Sequence, residues 1–81
     1  MNEKEILEFA IKGIEAEIEK HEKQIRKGEQ YLTDLRNGKS IKSPKSESEI
    51  VEIIRKNREE AEILSKKKFD LSWKLDVELD K

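Results

Sequence analysis

Apolar residues recur in the first part of the chain at alternating steps of four and three: Leu7, Ile11, Ile14, Ile18, His21, Ile25, Gly28, Leu32 and Leu35. Seven of these nine are Ile or Leu, and the spacing predicts one long α-helix with a heptad seam. Asn2 with Glu5 offers a capping start, and acidic Glu3, Glu5 and Glu8 suit the positive end of a helix dipole. Such a helix would run about 50 Å at ~1.5 Å per residue. The same stepping resumes later as Ile50, Ile54, Asn57, Ala61, Leu64, Lys68, Leu71, Leu75 and Glu78, six of them apolar.

Between the two seams the sequence breaks. Asn37-Gly38 reads as a helix ending, because Gly accepts the left-handed conformation that satisfies the last carbonyls. Two starts follow it: Ser43-Pro44 as N-cap and first helical residue, and Ser46 with Glu49 as a capping box. The pattern predicts a single all-α domain over 1–81, with helix 2–37, turn 38–45 and helix 46–80, folded as a coiled-coil-like antiparallel helical hairpin. Matching the two seams by length pairs residues whose numbers sum to 85 or 86, so that Gly28 meets Asn57, and His21 lies near Leu64 and Lys68.

Two positions interrupt the first seam. His21 is the only His and has no Cys beside it, so a polar residue setting helical register is the simpler reading than a metal ligand or pH switch. Gly28 costs roughly 1 kcal/mol inside a helix, which predicts a close approach of the partner helix in preference to a bend. The stretch from Phe69 to Leu79 alternates apolar and polar residues, as a strand does. A lone strand has no pairing partner here, so the helical reading is taken, with Leu71, Leu75 and Leu79 on one face and Phe69, Trp73 and Val77 on the other.

That reading leaves apolar residues over. Ile6, Phe9 and Ala10 lie off the first seam, and Phe69, Trp73 and Val77 lie off the second, all at the open end of the hairpin. Ile6, Phe9, Phe69, Trp73 and Val77 are therefore the candidate dimer or partner interface, with a homodimeric four-helix bundle as the expected assembly. Composition agrees with long exposed helices: 46% of residues are charged, yet 18 Lys and Arg nearly balance 19 Asp and Glu. A chain of 81 residues also has little core of its own.

The charges are segregated along the chain. Lys23 to Arg58 holds ten basic and five acidic residues, a net charge of +5, against −6 for the rest. Arg36, Lys39, Lys42, Lys45 and Arg55 at the turn end make a nucleic-acid (RNA)-binding hairpin dimer the alternative reading, with Tyr31 the one aromatic nearby. No grouping suggests catalysis, a cofactor or a small-molecule substrate, so the chain is read as non-enzymatic. Glu15, Glu19 and Glu22 with His21 are a faint metal set of the kind that charged helices often contain. Ser72, Leu75 and Asp76 form S-x-x-L-D, which resembles the motif of the small αα-hairpin phosphatases acting on sporulation response regulators. The resemblance covers five residues and sits too far from the turn for that family, so no phosphatase role is carried over. With no Cys, no bilayer-length apolar run and no signal-like start, the expected setting is cytoplasmic, without a membrane, and the expected role is protein–protein interaction or regulation.

Overall fold

The computed structural model describes residues 2–38 and 45–78. Helix α1 spans Glu3–Arg36 and helix α2 spans Glu47–Trp73, followed by a wider π-helical turn, Lys74–Glu78. The helices fold back on each other into a slender rod of 57 × 18 × 15 Å. This is the all-α antiparallel hairpin that the two seams predict. No strand occurs among the described residues, so Phe69 to Glu78 is helical.

Local chemistry sets the helix ends. The Asn2 side chain accepts from the Glu5 N–H at 2.8 Å, and the Ser46 hydroxyl accepts from the Glu49 N–H at 3.2 Å. Each satisfies an otherwise unpaired donor of a first turn. Helix α2 thus begins at the second of the two starts; Ser43 and Pro44 lie outside the described residues. Helix α1 closes as Gly38 enters the left-handed region (φ 75°) and donates its N–H to the Leu35 carbonyl. Side chains longer than hydrogen are strained at that angle. At the far end, the Lys74 N–H is shared between the carbonyls of Asp70 and Leu71 as the coil widens.

The seam residues face inward in both helices, although few are fully enclosed. Leu7, Gly28, Ile50 and Ile54 are buried, and the other seam positions from Ile11 to Leu35 and from Asn57 to Leu75 are half-buried. A two-helix layer leaves one side of most seam residues open to solvent.

The register differs from the length-matched one. Gly28 faces Ile54 and Ile50, and His21 pairs with Asn57, so contacting numbers sum to 82 and 78. The nearest neighbours of Gly28 are thus Ile54 and Ile50 where length matching gave Asn57, and His21 bonds Asn57 where it gave Leu64. A heptad seam slides by a turn without losing its apolar matches. Two local fits select the observed setting: the missing side chain of Gly28 makes room for Ile54, and the polar His21 meets the polar Asn57.

The close approach expected at Gly28 is present. A Cβ built there would lie 2.7 Å from Ile54 Cγ1 and 3.0 Å from Cδ1, whereas one at Gly13 meets nothing within 4 Å. The two glycines should respond oppositely to alanine. Gly13→Ala is expected to stabilise by up to about 1 kcal/mol through helix propensity. At Gly28 the same gain is outweighed by overpacking of roughly 1–3 kcal/mol against a buried, β-branched neighbour. Urea melts of the two variants check this, and a Gly28→Ala chain more stable than the parent would contradict the contact.

Candidate functional site

The hairpin has two flanks, one on each side of the plane through both helix axes. On the first flank, recurring every seven residues, lie Glu15, Glu22 and Glu29 of α1 with Val51, Arg58, Ser65 and Ser72 of α2, and beside them Arg55, Glu62 and Phe69. Ion pairs Glu29–Arg58 (3.1 Å) and Glu15–Lys68 (3.5 Å) cross between the helices here. On the opposite flank Gln24, Lys27, Tyr31 and Ile53 line a recess beside Lys45. All the charges in these bridges are well exposed, so each pair contributes roughly 0–1 kcal/mol.

The five apolar residues singled out from the sequence are all exposed: Ile6 55%, Phe9 64%, Phe69 68%, Trp73 51% and Val77 38%. They do not form one patch. Phe69 borders the first flank, in a recess with Ile18, Glu22, Ser65, Lys68 and Ser72, and it shares a second recess with Asp70, Trp73 and Lys74. Ile6 falls on the heptad stripe of Lys27, on the opposite flank. Phe9 lies about 200° from Leu7 at ~100° per residue, on the back of α1, and Trp73 lies on the back of α2 by the same reckoning. The open end therefore carries apolar groups facing in different directions.

Two exposed aliphatics went unnoticed in the sequence: Val51 (49%) and Ile63 (48%). Their signal is the doublets Ile50-Val51 and Ile63-Leu64, in which only one neighbour can face the seam. Val51 walls an open recess of about 530 Å³ whose floor includes Leu32 and Ile54 and whose rim includes Arg55, Arg58 and Glu59.

Near the turn, cations are already engaged. Arg36 pairs with Glu47 at 3.1 Å, and Arg55 hydrogen-bonds both Glu52 and Glu59. The hydrogen bond from Arg55 holds the Glu52 carboxyl below its usual range, and the same bond, with the charges of Glu52 and Glu59, pushes the guanidinium up. Because the Glu52 pKa is lowered, its favourable interaction is present above the ordinary carboxylate range and is lost as pH falls through the lowered value. Tyr31 is half-buried; its hydroxyl accepts from the Lys45 N–H (2.5 Å) and donates to the Lys45 carbonyl (3.4 Å). Lys39 and Lys42 lie outside the described residues.

The polar layer is built from His21 and Asn57. The Asn57 amide donates to the Ile53 carbonyl at 2.8 Å, which turns its oxygen toward His21 Nδ1 at 2.7 Å. An amide oxygen only accepts, so the imidazole proton sits on Nδ1. Among the described residues no three His, Asp or Glu side chains are placed to hold a metal ion. Ser72 is half-buried and Asp76 exposed. No described helix is long and apolar enough to cross a membrane.

These features define a two-helix antiparallel hairpin with a polar layer in its seam and uncovered apolar side chains outside it. The chain matches no protein-family model, no curated protein and no solved structure.

Proposed function

We propose that this hairpin is a non-enzymatic interaction or regulatory module in the cytoplasm that self-associates, as a dimer forming a four-helix bundle, and presents helix faces to a protein partner. One observation carries the reading. The described residues bury only three large apolar side chains, Leu7, Ile50 and Ile54, while seven others stand exposed, among them both Phe residues and the Trp. Soluble monomers seldom display so much aromatic surface against so small a core. Large aromatic side chains are also the usual anchors of interfaces.

The test is mass in solution. Phe69→Asp combined with Trp73→Asp, two exposed aromatics that share a recess, is expected to convert a dimer to a monomer in light scattering, with helicity retained by circular dichroism. A parent chain that is monomeric at high concentration, or a variant of undiminished mass, would remove this reading.

A further inference from the structure

We infer that the second copy docks antiparallel on the first flank, with Phe69 of one chain seated in the Leu32–Val51–Ile54 recess of the other. This rests on the self-association proposed above and specifies its geometry.

The ring and the recess share a flank. Arg55, Glu62 and Phe69 are spaced by sevens along α2, as are Val51, Arg58 and Ser65, so the two adjacent stripes carry the recess toward the turn and the ring toward the open end. A two-fold axis lying across this flank reverses the helix direction and brings Phe69 of each copy between Val51 and Arg55 of the other. Both apolar features are then covered twice by one symmetry operation. In a parallel dimer like ends would meet, setting ring against ring and leaving both recesses empty.

Charge favours the same choice. The turn half carries +5 and the remainder −6, so reversing direction lays each basic half against an acidic one. The register that seats Phe69 also brings Arg58 of one copy to Glu62 of the other, since both pairings share the sum 120 that relates Val51 to Phe69. On the α1 edge of this flank Glu15, Glu19 and Glu22 lie beside Arg26 and Lys68, so that edge carries both signs of charge. A 27-residue helix gives a contact about 40 Å long, and at a helix width of ~10–12 Å roughly 450 Å² per copy. At about 900 Å² in total this falls in the size range of weak, transient contacts.

The experiment reads contact in trans. Arg58→Glu places acid against acid in its own dimer, and Glu62→Arg places base against base; each is expected to weaken self-association by about tenfold in sedimentation equilibrium. An equimolar mixture of the two restores both opposed pairs and should associate as the parent does. Effects confined to one chain, such as loss of the Glu29–Arg58 bridge, are not rescued by mixing. The chain has no Cys, so a second measurement is clean: oxidising Arg55→Cys mixed with Ser65→Cys should give a cross-linked dimer of the two different chains, with little from either alone. A parent dimer whose charge variants are not rescued by mixing, or in which Arg55→Cys cross-links to itself, overturns the antiparallel geometry while leaving self-association standing. A monomeric parent overturns both.

Discussion

Ile54→Ala is expected to leave most of the chain unfolded at room temperature and low concentration, read as lost helical circular dichroism. Ile54 is 6% exposed and packs over Gly28, which has no side chain to move into a vacated space. Truncating a buried Ile costs about 2–5 kcal/mol, more where the surroundings cannot collapse. A domain of this size has roughly 3–5 kcal/mol in all. Ile54→Val removes one methylene and should cost about 1 kcal/mol, giving a graded pair. An alanine variant that melts with the parent would show that the Ile54–Gly28 contact does not hold the hairpin together.

The second large effect concerns the polar layer. Asn57→Leu removes the acceptor of His21 Nδ1–H and leaves that donor facing an apolar group in a half-buried seam, at a cost of about 1–3 kcal/mol. His21→Leu added to Asn57→Leu closes an aliphatic layer and should reverse the loss, raising stability above the parent. The cost of that gain is specificity. With the polar pair gone, the helices can slide by a heptad, and amide spectra of the double variant should show a second set of signals. A double variant less stable than Asn57→Leu alone would contradict the pairing.

The seam was legible because burial follows helix period: the residues from Leu7 to Leu35 picked by steps of four and three are those that turn inward. The caps at Asn2, Ser46 and Gly38 were legible for an equally local reason. Register was not, since a heptad pattern looks the same after a slide, and what decides it is the fit of one absent side chain to Ile54 and of one amide to one imidazole. The apolar surplus at the open end was legible residue by residue, from Ile6 to Val77. Its division between flanks was less so, because it depends on the angle of each residue to its own seam and then on how the two seams are rotated against each other. The turn-end cations illustrate the same limit: sequence proximity groups Arg36 with Arg55, while each is bound to a different carboxylate.

Among the described residues, three of the four buried positions, Gly28, Ile50 and Ile54, cluster near the turn, and Leu7 lies at the other end. Closing that cluster first requires the chain to form only a short loop, a small entropic penalty. Every later layer then adds beside one already formed, with no new loop to close. By that order the hairpin zips from its bend outward, and the layer at Leu7 is the last to be held and the first to come apart.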